Sequence, residues 1–277
     1  GESFDITSLL WNCPSLKVLD DGRIVLLADY SESGQLSENE RPPHKIAMFV
    51  SDDDGESWKR SDDPPARGLC PDRLFVTSTG AWLLTTQQWK RFAGCQCLVV
   101  YVWRSEDHGK TWDGPFICGE QAEYHLCEAS VVEPTPGTLV AYMRENSFLG
   151  YPVFKSISTD DGKTWTLCQT SIVGGHRPKA GVLQNGQVLI TYRFAEGGRN
   201  PPANVYAYVE DMDSAVAENR LAQRGRAIPL VHDMHESPDT GYTGWVQFPD
   251  GQIIVVNYIR GSSEHAYVHG WSLHITQ

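Results

Sequence analysis

The chain has 277 residues, and its 23 Lys and Arg against 35 Asp and Glu give a formal net charge of -12. This balance argues against DNA, RNA or an anionic membrane surface as the main partner, because all three attract basic proteins. No run of about 18 apolar residues is present to cross a bilayer. The N-terminal stretch GESFDITSLL has neither the basic nor the apolar region of a signal peptide.

Five apolar segments, taken in chain order, share the pattern of a strand, a turn with a glycine, and a second strand. The turn glycines are Gly22, Gly80, Gly137, Gly186 and Gly251. They predict an all-β fold of five blades, over residues 12–58, 70–112, 127–165, 176–235 and 242–277. The last blade offers three strands, so we expect the N-terminal FDITSLLW to add a fourth strand and close the ring.

Three copies of an eight-residue motif lie between these segments. SDDDGESW, SEDHGKTW and STDDGKTW begin at Ser51, Ser105 and Ser158, which are 54 and 53 residues apart. A repeat of about 50 residues is typical of a four-stranded propeller blade. The glycine suits a tight turn, the aspartate can bind amides of that turn, and the tryptophan can wedge between sheets. We therefore predict one β-propeller domain over residues 1–277, in which the motifs brace the blades.

Two sets of positions keep a fixed distance from the turn glycines. Seven residues after them, at the end of each second strand, stand Asp29, Gln87, Arg144, Arg193 and Tyr258. Nine or ten residues before them, at the start of each innermost strand, stand Cys13, Cys70, Cys127, Arg177 and Tyr242. Both points share one face of a four-stranded meander, so we expect these residues to meet at one mouth of the central channel. The residue type differs from blade to blade, which favours a single specialised site.

Arginines near this mouth suit an anionic ligand, because a guanidinium binds a carboxylate through two parallel hydrogen bonds. Arg144, Arg193 and Arg199 approach the mouth, and Arg177 stands at a strand start. In a chain of negative net charge, such a cluster indicates a local basic pocket.

A glutamate beside a tyrosine suits nucleophilic chemistry. A phenol with a pKa of about 10 is a weak nucleophile until a base removes its proton. Glu128 and Tyr242 occupy matching strand starts two blades apart, so we take them as a candidate base and nucleophile.

The three motifs resemble the Asp-box, or BNR, repeat of sialidases. CEASVVEPTPGTLVAYMR is similar to the sialidase segment in which a Glu opens one strand and an Arg closes the next, and GYTGWVQFPDGQIIVVNY is similar to the strand with the tyrosine nucleophile. The resemblance implies that Glu128 activates Tyr242 and that Arg144 belongs to a carboxylate-binding triad. Arg199, in a loop before a strand, stands where the family has its last triad arginine.

The chain departs from the sialidase pattern at its first strand and in its blade count. Sialidases begin with a Phe-Arg-Ile-Pro-like motif whose arginine completes the triad. This chain has WNCP at residues 11–14, so Asn12 replaces that arginine. We expect Arg177 to contact the ligand in place of this missing arginine. Sialidases also have six blades, which leaves a six-bladed propeller as the alternative fold.

The general acid is the second departure. The family uses an aspartate in the loop after the first hairpin, whereas the matching loop SESGQLSENERPPHK has none. Glu38 is nearest to the expected position, with Glu40 close by and Asp29 at the start of the loop. We take Glu38 as the acid.

These residues lead to the hypothesis of a retaining exo-glycosidase of sialidase type that needs no metal and no organic cofactor. Its partner is a sialylated or other acidic glycan, cleaved at a terminal sialic acid or related 2-keto sugar acid. A glycosidase for another acidic sugar, such as a uronic acid, and a lectin-like module without turnover stay open as alternatives. A structural scaffold is a third. Seven cysteines without metal-site spacing predict free, largely buried thiols, which favours a reducing compartment. A secreted mature form, from which a signal peptide has been removed, stays open as the alternative.

Overall fold

The structure is a computed structural model that describes residues 9–32, 44–195 and 204–276. The described residues form five antiparallel sheets arranged as the blades of a β-propeller, which confirms the prediction of five blades. The strands of every sheet follow one another in chain order. No helix among the described residues is long and apolar enough to span a membrane.

The strands have the following bounds. The first blade comprises β1 (Leu9–Val18), β2 (Ile24–Glu32), β3 (Lys45–Ser51) and β4 (Lys59–Arg60). The second comprises β5 (Phe75–Val76), β6 (Trp82–Phe92), β7 (Cys95–Ser105) and β8 (Asp113–Gly119). The third comprises β9 (Leu126–Thr135), β10 (Thr138–Glu145), β11 (Phe154–Ser158) and β12 (Thr166–Gln169). The fourth comprises β13 (Gly175–Val182), β14 (Val188–Phe194), β15 (Asn204–Glu210) and β16 (Gly225–His232), with helix α1 (Met212–Val216) and a 3-10 turn (Arg220–Ala222) between its last two strands. The fifth comprises β17 (Gly244–Gln247), β18 (Ile253–Ile259) and β19 (Tyr267–Leu273).

The N-terminal segment does not complete the fifth blade in the way the sequence suggested. The last three residues of FDITSLLW, residues 9–11, pair with residues 30–32 of β2 inside the first blade. Their backbone groups are therefore part of the β1–β2 ladder, and the prediction is wrong for them. The preceding residues, 4–8, lie outside the described part of the chain.

The hairpin turns repeat as predicted from their glycines. All five turn glycines have φ between +81° and +87°, a conformation in which a Cβ atom is strained. In the first blade Gly22 donates its N–H to the Leu19 carbonyl, and Leu19 donates to the Arg23 carbonyl. The second, fourth and fifth blades have the same pair of hydrogen bonds. This shared geometry explains why one sequence pattern recurs in these four blades, whereas Gly137 of the third blade donates its N–H to the Glu133 carboxylate at 2.7 Å.

The Asp-box motifs form the turns between the third and fourth strands of the first three blades. In the second copy, the Asp107 carboxylate accepts from the Thr111 backbone N–H at 2.8 Å and from the Thr111 hydroxyl at 2.6 Å. Trp112 donates its indole N–H to the Gly109 carbonyl at 3.0 Å and packs against the core shared by the first two blades. The motifs close the turns and do not contribute to the channel mouth.

Four apolar clusters join neighbouring blades, from the first–second pair to the fourth–fifth pair. In β18, Val255 is fully buried against the fourth blade, whereas the next residue, Val256, is 41% exposed on the opposite face of the strand. Leu16 and Val18 of β1 are likewise exposed. Buried apolar cores thus join the five blades along one continuous arc.

Candidate active site

One residue at the start of the innermost strand has an unusual backbone conformation in four blades. Cys13, Cys70, Glu128 and Arg177 have φ of 47°, 51°, 51° and 46°. In the first, third and fourth blades the strand pairing shifts register at this residue. The third-blade equivalent is therefore Glu128 and not Cys127, which corrects the sequence alignment of the blades by one residue. The shared conformation brings these four side chains together at the mouth.

Hydrogen bonds from one blade to the next fix these residues. The Asp29 carboxylate of the first blade accepts from the Cys70 backbone N–H at 2.9 Å. The Gln87 side chain of the second blade accepts from the Glu128 backbone N–H. Glu128 in turn accepts from the Arg177 backbone N–H at 3.0 Å. Each of the first three blades therefore positions a residue at the mouth that belongs to the following blade.

The Tyr242 hydroxyl lies beside the Glu128 carboxylate and donates to it at 3.1 Å. Arg144 Nη1 lies 3.2 Å and 3.3 Å from the two Glu128 oxygens and 3.4 Å from the Tyr242 hydroxyl. Glu128 and Arg144 are each 8% exposed, whereas Tyr242 keeps 36% of its surface exposed. A buried ion pair thus holds a carboxylate against a phenol that remains accessible.

Arg193 approaches Tyr242 from a second direction. Its Nη2 donates to the Tyr242 hydroxyl at 3.2 Å, and its guanidinium carbon lies 4.2 Å from the centre of the Tyr242 ring. The same nitrogen donates to His176 Nδ1 at 3.2 Å. Burial, followed by repulsion from Arg144 and Arg193, lowers the pKa of His176 to about 3. A neutral His176 can accept this hydrogen bond and orient Arg193.

The surroundings of Tyr242 keep its hydroxyl protonated at neutral pH. Desolvation of the phenol and the negative charge of Glu128 raise the pKa of Tyr242 to about 12, and the positive charges of Arg193 and Arg144 offset only part of this rise. The hydroxyl is therefore not a spontaneous nucleophile and needs a base as it reacts. Glu128 is the carboxylate within hydrogen-bonding distance of it.

A cavity of about 520 Å³ adjoins Tyr242. Arg73, Arg177 and Lys179 line it, together with Asn12, and none of the described residues that line it is acidic. Lys179 is paired with the buried Asp72, which neutralises its charge locally. In a chain with a net charge of -12, this cavity is therefore lined by a local group of basic side chains.

Residues 7–214 match a family model described as a BNR repeat-like domain. The chain belongs to this family. The predicted resemblance to Asp-box proteins is thereby confirmed for well over half of the chain. No curated protein matches the sequence.

Solved structures with the same architecture have varied activities. A protein of unknown function from Dyadobacter fermentans superposes with a TM-score of 0.77 at 22% identity, covering 96% of this chain and 77% of that one. The NanB sialidase from Streptococcus pneumoniae superposes with a TM-score of 0.64 at 13% identity, covering 97% and 56%. An α-L-arabinanase from Penicillium chrysogenum gives 0.63 at 17% identity, covering 96% and 81%. This BNR repeat-like chain therefore spans a little over half the length of the sialidase, and the similarity shows a shared fold.

The remaining predicted site residues differ in their exposure and in their contacts. Asn12 is exposed, lies opposite Asp29 in the β1–β2 ladder and lines the cavity. Asp29 is fully buried and accepts from Cys70 and from His44 Nδ1, so both oxygens have partners. The predicted acid Glu38 and the predicted triad residue Arg199 lie outside the described residues.

One contact at the mouth had no signal in the sequence. Cys13 Sγ lies 3.1 Å from Cys70 Sγ, and Arg177 Nη1 donates to Cys13 Sγ at 3.1 Å. The hydrogen bond from Cys70 and the charge of Arg177 lower the pKa of the Cys13 thiol to about 7. The two cysteines are 57 residues apart, and only the blade register, in which both open an innermost strand, links them.

Proposed function

We propose that this protein is a retaining glycoside hydrolase for glycans with an acidic sugar, with Tyr242 as nucleophile and Glu128 as the base that activates it. The observation that supports this most directly is the hydrogen bond from the Tyr242 hydroxyl to the buried Glu128 carboxylate. A protonated phenol held on a carboxylate is the arrangement that base-assisted attack on an anomeric carbon requires.

The two arginines beside Tyr242 support the same proposal. As the proton moves to Glu128, negative charge develops on the phenolic oxygen. Arg144 and Arg193 lie 3.4 Å and 3.2 Å from that oxygen and stabilise the charge. A neutral tyrosine also suits an acidic substrate better than a carboxylate nucleophile, which the sugar's own carboxylate would repel.

The substrate carboxylate is proposed to bind at the cavity beside Tyr242. Arg177 is the principal contact there, since it is buried at the start of β13 and lines the cavity. Arg144, together with Arg199, which precedes β15 in the sequence, completes the proposed clamp. Asn12 provides a hydrogen-bonding side chain where sialidases have an arginine, and this difference favours a uronic acid or an unusual 2-keto sugar acid beside sialic acid as substrate. Glu38 remains the proposed acid for the leaving oxygen.

The test is hydrolysis of a panel of aryl glycosides of sialic acid, its deaminated analogue and uronic acids. Glu128→Gln should lower kcat by about 10²–10⁴-fold, the range that a positioned proton acceptor contributes. Tyr242→Phe should lower it at least as far, because the nucleophile itself is lost. Tyr267→Phe removes an exposed phenol on β19, the last strand of the same blade, and serves as the control with normal activity.

Full activity of Tyr242→Phe or Glu128→Gln would refute the assignment. Saturable binding of one of these sugars by the wild-type protein without turnover between pH 4 and 8 would favour the lectin-like alternative, which the replacement of an arginine by Asn12 also fits. A wild-type protein that neither binds nor hydrolyses any member of the panel would favour a structural role.

A further inference from the structure

We infer that Cys13, Cys70 and Asp29 form a binding site for a zinc-type divalent cation at the mouth of the channel. Each residue offers one ligand atom, the two sulfurs and a carboxylate oxygen, and the three atoms all lie within 4.8 Å of one another. In the part of the chain that the structure describes, this is the one set of three such donors that close together. The donors come from β1, β2 and the segment before β5.

The donor types select the class of metal. Two thiolates and one carboxylate suit Zn²⁺ and similar borderline ions, whereas Ca²⁺ and Mg²⁺ require oxygen ligands. Zinc–sulfur bonds of about 2.3 Å in a tetrahedral site place two sulfurs about 3.8 Å apart. Cys13 Sγ and Cys70 Sγ are 3.1 Å apart, so rotamer adjustments of less than about 1 Å admit the ion. Binding deprotonates the two thiols and releases their protons to solvent.

Neighbouring groups hold the three donor residues by hydrogen bonds, as they do around the ligands of a metal site. His44 Nδ1 lies 2.8 Å from the second Asp29 oxygen, and the Cys70 backbone N–H donates to the first oxygen at 2.9 Å. Such outer contacts orient the ligands of a metal ion. Arg177 donates to Cys13 Sγ at 3.1 Å. Two thiolates and a carboxylate bring three negative charges, and a divalent ion together with Arg177 balances them.

A second cysteine pair shows what the site requires beyond two thiols. Cys95 and Cys97 have their sulfurs 3.7 Å apart on β7, and both contact the Ala122 carbonyl oxygen. No His, Asp or Glu ligand atom among the described residues completes a set of three with them. This pair is therefore a natural control within the same chain.

The position of the ion gives it a role in ligand binding. Cys13 lines the same cavity as Arg177 and Tyr242, so an ion on Cys13 is reachable from the cavity and its remaining coordination position is open to a ligand oxygen. Cys13 directly follows Asn12, which stands in place of an arginine. The ion offers a ligand oxygen a coordination bond at that place, where the arginine's hydrogen bonds are missing, and this last step alone rests on the proposed function.

The experiment measures zinc binding directly. Reduced, metal-free protein is dialysed against Zn²⁺ with a competing chelator, and bound metal is counted by atomic emission. Parallel Co²⁺ loading reports the charge-transfer absorption that appears only when thiolates bind the ion. We expect about one zinc per chain in the wild-type protein. Cys13→Ser and Cys70→Ser should each abolish binding, and the double variant Cys95→Ser with Cys97→Ser should retain it. His44→Gln should weaken affinity by about 10–100-fold.

Several outcomes would overturn the inference. These are wild-type protein with both thiols free that takes up no zinc, zinc uptake that persists in Cys13→Ser, and loss of uptake in the Cys95 and Cys97 double variant. A Cys13–Cys70 disulfide in the isolated protein, with no uptake after its reduction, also overturns it. Tyr242→Phe should bind zinc like the wild type, so failure of the metal site and failure of the proposed hydrolysis are distinguished.

Discussion

The Tyr242 hydroxyl has three neighbours with different effects on its proton. Glu128 accepts the hydrogen bond and disfavours the phenolate, whereas Arg144 and Arg193 favour it. With the proton on the oxygen, Arg193 has only a neutral acceptor there, whereas Arg144 is paired with the Glu128 carboxylate. When the proton moves to Glu128, the carboxylate that disfavours the phenolate becomes neutral, and both arginines face a full negative charge. Arg144 therefore keeps a negative partner in both states, and Arg193 gains one in the reacting state, which it stabilises more than the resting state.

His176 is the residue for which we predict a measurable pH effect. Its pKa in the folded protein is lowered to about 3, below the value of about 6.5 in an unfolded chain. As the pH falls below about 6.5, His176 binds a proton in the unfolded state but stays neutral in the folded state. The free energy of unfolding therefore decreases. When the pH is lowered from 7 to 4.5, the free energy of unfolding should decrease in both proteins. The decrease should be about 2 kcal/mol smaller for His176→Asn than for the wild type.

Urea unfolding at the two pH values measures this difference. His232→Asn is the control, since His232 is exposed on β16 and bonds to Asn204 at 2.7 Å. Parallel losses of stability in the wild type and in His176→Asn would show that His176 is not the titrating group.

At the scale of single elements, the turn glycines allow a matched comparison. A Cβ atom at Gly22, φ +87°, would meet nothing within 4 Å, so Gly22→Ala should cost only the backbone strain of about 1–2 kcal/mol. At Gly109, φ +84°, a Cβ would lie 3.1 Å from the Trp82 ring and 3.3 Å from Met48. Gly109→Ala should cost about 1–3 kcal/mol more.

Guanidinium unfolding of both variants gives the two free energies. Equal losses would mean that the Asp-box turn yields to the extra methyl group without strain in the neighbouring blade. Unchanged slopes of unfolding free energy against denaturant are the check that both variants unfold from the same folded state.

The elements differ in how far the sequence predicts them. Strand, turn and blade number follow from local patterns, because the turn glycine needs positive φ and the Asp-box closes its own turn. The residue alignment at the mouth fails by one in the third blade, where Glu128 and not Cys127 takes the left-handed conformation. A register shift within a strand leaves no mark in a hydrophobic pattern of period two.

At the candidate site, Glu128, Arg144 and Tyr242 were named through the resemblance to sialidases, and the structure brings them together with Arg177 and Arg193. The side-chain braces between blades could not be predicted. Gln87 bonds to Glu128 across 41 residues, and Cys13 contacts Cys70 across 57. Such pairs depend on where two strand starts fall around the ring, which is a property of the assembled fold.

For the whole molecule, the buried cores between blades should dominate stability. Val255→Ala removes methyl groups from a fully buried side chain in the core of the fourth and fifth blades and should cost about 1–3 kcal/mol. Val256→Ala, at the next position on the exposed face, should change stability by no more than about 0.5 kcal/mol.

Thermal and denaturant unfolding of the two variants tests this prediction. Since each core is shared by two blades, we propose that residues 1–277 unfold as one domain, in a single transition seen alike by tryptophan fluorescence and circular dichroism. Two separated transitions, or a larger loss from Val256→Ala than from Val255→Ala, would contradict this account.

The four residues in the left-handed conformation at the strand starts affect how such a protein can evolve. Each non-glycine residue at φ near 50° costs about 1 kcal/mol of backbone strain, and this cost is nearly the same for Cys, Glu and Arg. Exchanging one of these side chains for another alters the chemistry of the mouth at little change in folding free energy. Glycine would relieve the strain but would leave the channel without a functional group. Selection for stability and selection for activity therefore oppose each other at these four positions, and a new substrate can be reached by substitution at the mouth while the blades stay as they are.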